Sequence, residues 1–137
     1  RIVSDNTAIA VRAMLEKVVE AGTGKAAQVP GYLVAGKTGT VHKSTRDGYA
    51  EDRYLSLFAG MIPASNPRLI AVVLVDEPSV GGHYGGRVAA PVFAQVMKES
   101  VRILNIAPDN YDEIDRVKPT PSVRVAERVN TPRPVVR

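Results

Sequence analysis

The residues best suited to chemistry lie in one short run, residues 37–40, with the sequence Lys-Thr-Gly-Thr. Together with Gly31 and Gly36, this run matches the P-loop pattern of glycine, four residues and then Gly-Lys-Thr. A P-loop cradles phosphate with backbone N–H groups of a glycine-rich loop that leads into a helix. Here the four middle residues, 32–35, are typical of a strand, and Gly39 stands where the helix should begin. The mechanism therefore argues against nucleotide binding.

Composition argues against several other kinds of site. The chain of 137 residues has no cysteine, and its two histidines, His42 and His83, are too few and too far apart in sequence to make a zinc site by themselves. Its 18 basic and 14 acidic residues give a net charge of +4 and are scattered, so we expect no nucleic-acid partner. No apolar stretch approaches the ~20 residues that a membrane helix needs. We expect no metal, no cofactor and no membrane span within the chain.

Two helices are indicated by apolar residues spaced three and four apart. The first begins at Ser4 or Asp5, both good N-cap residues, and stops before Gly22. The second runs from residue 86 or 87 to residue 104, and tolerates Pro91 if that proline lies in the first turn. The triplet Ser-Asp-Asn at residues 4–6 is explained by helix capping rather than by chemistry.

Three strands are expected between the helices, at residues 32–41, about 53–62 and 69–75. The turn-forming residues 63–67 favour an antiparallel hairpin between the second and third strands. The run 69–75 is too continuously apolar for a strand with one wet face, so helices are expected on both faces of the sheet. The predicted class is α/β (α+β), an antiparallel sheet flanked by helices.

The composition changes after residue 107. Residues 1–107 contain all 11 glycines, whereas residues 108–137 contain none and hold half of the ten prolines. We predict one folded unit over 1–107 and a proline-rich, largely extended or disordered C-terminal extension over 108–137. Within that extension Val123, Val125 and Val129 have the spacing of a short edge strand.

The surroundings of residues 37–40 resemble the C-terminal part of the transpeptidase domain of class B penicillin-binding proteins, most closely the septal FtsI type, penicillin-binding protein 3. The resemblance covers about residues 1–107. It implies the fold shared by serine β-lactamases and penicillin-binding transpeptidases. The segments that carry it are residues 22–27, 30–32, 35–40, 56–60, 63–64, 76–78, 84–86 and 89–93.

This resemblance implies a role for each residue of the run. A serine of the family attacks the D-Ala-D-Ala stem of peptidoglycan, forms an acyl-enzyme and passes the acyl group to a neighbouring stem; penicillins trap the same serine. The N–H of Thr40 supplies one oxyanion-hole donor. The hydroxyls of Thr38 and Thr40 bind the carboxylate of the substrate or β-lactam, and Lys37 adds positive potential. Gly39 leaves room for the substrate to pair with the strand edge.

Three further residues fall where the family places a wall beside the site. Tyr54, His83 and Tyr84 are expected to line it toward substrate or drug, although either tyrosine could equally be an ordinary, partly buried residue. His83 departs from the aromatic residue usual in the septal enzymes.

The catalytic serine is missing, because no serine in the chain is followed three residues later by lysine. We therefore predict that the chain alone is inactive and needs an upstream fragment of the same protein, which bears the nucleophile. The resemblance implies work with other division proteins on the periplasmic side of the bacterial inner membrane, with a single-pass anchor outside this chain. The alternatives are a fragment of a class A β-lactamase or D,D-carboxypeptidase, and a non-catalytic penicillin-binding sensor or scaffold module.

Overall fold

The computed structural model describes residues 2–46 and 48–111. The main elements form in the predicted order of helix, three-stranded meander and helix, and a single 3₁₀ turn follows the first helix. None of the described helices is long and apolar enough to cross a bilayer. The elements are α1 (Asp5–Glu20), the turn Lys25–Ala27, β1 (Ala35–Thr45), β2 (Gly48–Ile62), β3 (Leu69–Asp76) and α2 (Gly85–Ile103).

Helix α1 is capped as the sequence predicts. Ser4 is extended and its hydroxyl accepts a hydrogen bond of 3.2 Å from the N–H of Thr7, which satisfies one of the unpaired donors of the first turn. This confirms helix capping by Ser4, while Asp5 and Asn6 are the first two residues of the helix.

Helix α2 differs from the prediction at its proline. Pro91 is the seventh residue of the helix and lies in the second turn rather than the first. A proline there removes one helical hydrogen bond, a cost that packing must offset. The side chain of Pro91 faces solvent, while Ala90 and Phe93 on the adjoining face are fully buried against the sheet. Burial of that face stabilises the helix and offsets the hydrogen bond lost at Pro91.

The three strands form an antiparallel sheet in the order β1-β2-β3, which confirms the predicted meander. The first two strands differ from the predicted bounds. β1 begins at Ala35 rather than at residue 32, because Val29 and Tyr32 form an isolated bridge around a turn at Gly31, where φ is 80°. The β1–β2 hairpin also extends beyond β3, which pairs with β2 only from Leu55 to Ile62, so β2 begins at Gly48.

The core lies on one face of the sheet and receives both helices. Phe58 of β2 and Phe93 of α2 are fully buried, with ring centroids 4.9 Å apart in an edge-to-face arrangement. Val19 of α1 and Met97 of α2 belong to the same cluster. Gly36 is required beside it, because a Cβ there would lie 2.5 Å from the Phe58 ring.

The opposite face of the sheet is open in the described part of the chain. Burial alternates strictly along β3, and Ile70, Val72 and Leu74 are 74%, 64% and 53% exposed. The prediction of helices on both faces is therefore wrong for these residues. The prediction that this apolar run forms a strand is confirmed, but the described elements cover only one of its two faces.

The first residues of the predicted extension are bonded to the folded body. The carboxylate of Asp109 accepts the N–H of Leu33 at 2.7 Å, the N–H of Ser65 at 3.1 Å and the hydroxyl of Ser65 at 2.6 Å. The N–H of Asn110 donates to the carbonyl of Gly31. Asp109 thus joins the entry to β1 and the β2–β3 turn. The predicted edge strand at residues 123–129 lies outside the described residues.

We expect Asp109→Asn to lower the free energy of unfolding by about 1–3 kcal/mol, because an amide nitrogen would then face one of the donors that the carboxylate accepts. Thermal and urea denaturation of the protein measure this. Asp52→Asn, at an exposed position, is the matched control and should have little effect. Equal stability of the two variants would contradict the role of Asp109.

Candidate active site

The predicted run 37–40 lies on β1, whose one edge pairs with β2 and whose other edge pairs with no described strand. Side chains alternate along a strand, so Thr38 and Thr40 share the face of Phe58, while Lys37 and Gly39 lie on the opposite face. Both threonines are half-buried, and Lys37 is exposed. The Lys37 amine donates to the carbonyl of Thr38 at 2.9 Å and has no carboxylate partner among the described residues.

The first turn of α2 lies directly behind the two hydroxyls. The N–H of Gly85 donates to the hydroxyl oxygen of Thr40 at 3.1 Å. A Cβ at Gly85 would lie 2.2 Å from the carbonyl oxygen of Leu57 and 2.4 Å from that of Gly39. The start of the helix therefore rests on the backbones of β1 and β2, and only glycine permits this approach.

The loop after α1 supplies a second contact to the run. The hydroxyl oxygens of Thr23 and Thr38 are 2.9 Å apart. A Cβ at Gly86 would lie 2.2 Å from the carbonyl oxygen of Thr23, so this loop also packs closely on the start of α2. Both hydroxyls of the run are thus held by groups from other elements.

The three predicted wall residues lie together in one row of rings that also includes His42. Tyr54 pairs with His42 in the sheet, with ring centroids 4.4 Å apart, two residues beyond the pair of Thr40 and Ser56. His83 stacks on Tyr54 at 3.9 Å with an interplanar angle of 9°. Tyr84 follows at 4.6 Å from His83 and is exposed. This row of rings lies near residues 37–40 and extends from His42 on β1 to Tyr84 at the start of α2.

Sequence reasoning assigned no role to Thr23, Ser56 or Gly85, which hold this region together. Ser56 is fully buried, and its hydroxyl donates to the carbonyl of His83, which fixes the segment that carries the rings. The only cue in the sequence was a serine within the otherwise apolar run 55–62, since a buried polar group must find a hydrogen-bond partner. The partner itself lies 27 residues away and could not be read from the sequence.

Gly39 differs from the glycines required by packing. A Cβ at Gly39 would contact only the side chain of Leu57, at 3.5 and 3.6 Å, which are ordinary van der Waals distances. The described structure therefore does not require glycine here. Space beside Gly39 remains available to a group from outside the described chain.

A group of charges fixes the far end of β1. The Lys43 amine lies 2.8 Å from a carboxylate oxygen of Asp76 and 2.6 Å from one of Glu77. Hydrogen bonds to Asp76 and then to Glu77 raise the pKa of Lys43 above its usual value. This contribution to stability is present below the ordinary lysine pKa and is lost at strongly alkaline pH, so the link is intact at neutral pH. Within the described residues, no group of three or more side chains is arranged to hold a metal.

Comparison with known proteins assigns the chain to a family. The family model described as penicillin binding protein transpeptidase domain matches residues 1–98. The chain belongs to the penicillin-binding protein transpeptidase family, which confirms the predicted family and fold.

Individual relatives agree with this assignment. The chain is 50% identical over 104 residues to the probable peptidoglycan D,D-transpeptidase PbpC of Pseudomonas aeruginosa, an alignment covering 75% of this chain and 18% of that protein. It is 43% identical over 97 residues to the peptidoglycan D,D-transpeptidase FtsI of Escherichia coli, covering 70% of this chain and 16% of that protein. The chain therefore spans about a fifth of these curated relatives.

A solved structure shows the same architecture. The apo transpeptidase domain of penicillin-binding protein 3 from Burkholderia pseudomallei matches with a TM-score of 0.72 and 47% identity. The match covers 80% of this chain and 33% of that chain.

Two glycine substitutions distinguish a glycine that close packing requires, Gly85, from one that the packing does not require, Gly39. We expect Gly85→Ala to lower the free energy of unfolding by about 1–3 kcal/mol, because its Cβ would collide with two backbone carbonyls. Gly39→Ala should leave stability nearly unchanged, since its Cβ meets only ordinary contacts. Thermal denaturation compares them, and equal losses would contradict the distinction.

Proposed function

We propose that this chain supplies the substrate-binding edge strand of a serine D,D-transpeptidase that cross-links peptidoglycan stem peptides during septum formation and is acylated by β-lactams. One observation carries the proposal: residues 37–40 lie on a strand with one edge, here called its free edge, that pairs with no described strand, and their hydroxyls are held by the first turn of α2 and by Thr23. Family membership supports the reaction class.

Each residue of the run has a role in this proposal. An extended stem peptide adds to the free edge of β1 through its backbone. The Thr40 N–H stabilises the oxyanion that develops during acyl transfer. The hydroxyls of Thr38 and Thr40 donate to the terminal carboxylate, and Lys37, which lacks a carboxylate partner among the described residues, supplies positive potential. The space beside Gly39 admits the ligand.

The row of rings forms a wall beside residues 37–40, where the ligand binds in this proposal. Tyr54 and His83 stack on each other, and the carbonyl of His83 accepts a hydrogen bond from the hydroxyl of buried Ser56. Tyr84 presents an exposed ring at the end of the row. A flat, partly apolar wall of this kind contacts the side group of a stem peptide or of a β-lactam.

The nucleophilic serine comes from an upstream segment of the same protein. The exposed apolar face of the sheet, which includes Val41, Ile70, Val72 and Leu74, is the surface that such a segment covers. The outer edge of β3, which pairs with no strand in residues 2–46 and 48–111, offers a further site for strand pairing. In this proposal the chain alone is inactive and only the assembled domain carries out acyl transfer.

The same proposal places the complete protein at the division site. Similarity to relatives named FtsI supports a protein on the periplasmic side of the inner membrane, held by a single-pass anchor outside this chain and working with other division proteins. Peptidoglycan stem peptides are the substrate, and no organic cofactor or metal is needed.

Labelling with a fluorescent penicillin, followed by intact mass and peptide mapping, tests the proposed function. The chain is studied by itself and after assembly with the upstream segment. We expect a covalent adduct only in the assembled sample and only on a serine of the upstream segment. In that sample, Lys37→Ala should slow acylation by about 10- to 100-fold, because the ligand carboxylate loses a nearby positive charge. Lys98→Ala, at an exposed position on α2, is the matched control.

Two results would contradict the proposal. A correctly assembled pair that forms no adduct would indicate a non-catalytic binding module. Rapid hydrolysis of penicillin with turnover would indicate a β-lactamase instead.

A further inference from the structure

Both threonine hydroxyls of the run 37–40 form a hydrogen bond with a residue outside the run. Thr40 receives the N–H of Gly85 at 3.1 Å, and Thr38 lies 2.9 Å from the hydroxyl oxygen of Thr23. Thr23 precedes Thr38 by 15 positions and belongs to the loop that follows α1.

The number of hydrogens on each group decides which atom is the donor in these two hydrogen bonds. A hydroxyl has one hydrogen to donate, whereas a backbone N–H can only donate. The oxygen of Thr40 is therefore the acceptor from Gly85, and its own hydrogen is left to point elsewhere. The complementary ligand group is one that only accepts, which is the property of an ionised carboxylate.

The same reasoning fixes the direction of the bond between the two threonines when a ligand is bound. If Thr38 gives its single hydrogen to a carboxylate, the 2.9 Å contact persists only with Thr23 as donor. The two hydroxyls then each receive one hydrogen bond from the protein and each donate one to the ligand.

Thr23 is held in place for this task. The N–H groups of its neighbours Gly22 and Gly24 both donate to the carbonyl of Val18, at 3.1 and 2.9 Å, which ties the loop to the end of α1. Its carbonyl lies against Gly86, where a Cβ would be 2.2 Å away. The Thr23 side chain itself is exposed, so its hydroxyl can be removed without disturbing the core.

We propose that Thr23 is a positioning residue that acts through Thr38, donating its hydroxyl hydrogen so that Thr38 donates to the carboxylate of the substrate or β-lactam. This rests on the proposed function, in which Thr38 and Thr40 bind that carboxylate. The effect of Thr23 is therefore specific to ligands that carry a free carboxylate.

The test measures acylation rate constants of the complete protein with a penicillin and with its methyl ester. For Thr23→Val we expect about a tenfold lower rate constant with the free acid, the effect of losing one hydrogen bond, and an unchanged one with the ester. Thr23→Ala should behave as Thr23→Val does, and Thr23→Ser should restore the wild-type rate. Thr7→Val is the matched control, because it removes a similar hydroxyl pair, with Ser4 at 2.8 Å, far from the run.

Three results would overturn the inference. Wild-type rates in Thr23→Val with the free acid would show that the hydroxyl does nothing. Equal losses with acid and ester would indicate a general distortion of the strand. A wild-type protein that neither compound acylates would contradict the proposed function, and this inference with it, whereas the first two results leave the proposed function intact.

Discussion

The whole site depends on the contact between the first turn of α2 and the backbones of β1 and β2. Gly85 approaches the carbonyls of Leu57 and Gly39 so closely that no side chain fits, and its N–H bonds the hydroxyl of Thr40. Burial of Phe93 against Phe58 presses the rest of the helix onto the same face of the sheet. Because the helix cannot move without separating these groups, the position of Thr40 is fixed by the hydrophobic core.

In this arrangement the two edges of β1 differ from each other, and so do its two faces. One edge pairs with β2 in one register from Ala35 to His42, while the other pairs with no described strand and can accept an extended ligand. One face carries hydroxyls supported by α2 and the α1 loop, and the other carries Lys37 on the open side of the sheet. A strand held by packing, with one edge that pairs with no described strand, suits substrate binding, because little ordering is needed when the ligand arrives.

Much of the fold was predictable because its cues are local. Helical spacing and the cap at Ser4 defined α1, and the turn residues 63–67 defined the β2–β3 hairpin. The P-loop interpretation was rightly rejected, because residues 37–40 continue along β1 instead of opening a helix. The family resemblance singled out residues 37–40. What failed depended on distant partners: the open face of β3 depends on which elements cover it, and Pro91 is tolerated because of burial across the helix. The bonds of Thr23 and Ser56 join residues 15 and 27 positions apart, so no local pattern reveals them.

The central claim is that the free edge of β1 binds the acyl ligand, and amide hydrogen exchange by NMR tests it most directly. Exchange of the Thr40 amide is compared in the complete protein before and after acylation by a penicillin, with the Phe58 amide of the central strand as the internal reference. The account predicts that Thr40 becomes strongly protected on acylation while Phe58 is unchanged, because the ligand oxygen accepts the Thr40 N–H. Acylation that leaves exchange at Thr40 unaltered would contradict the account.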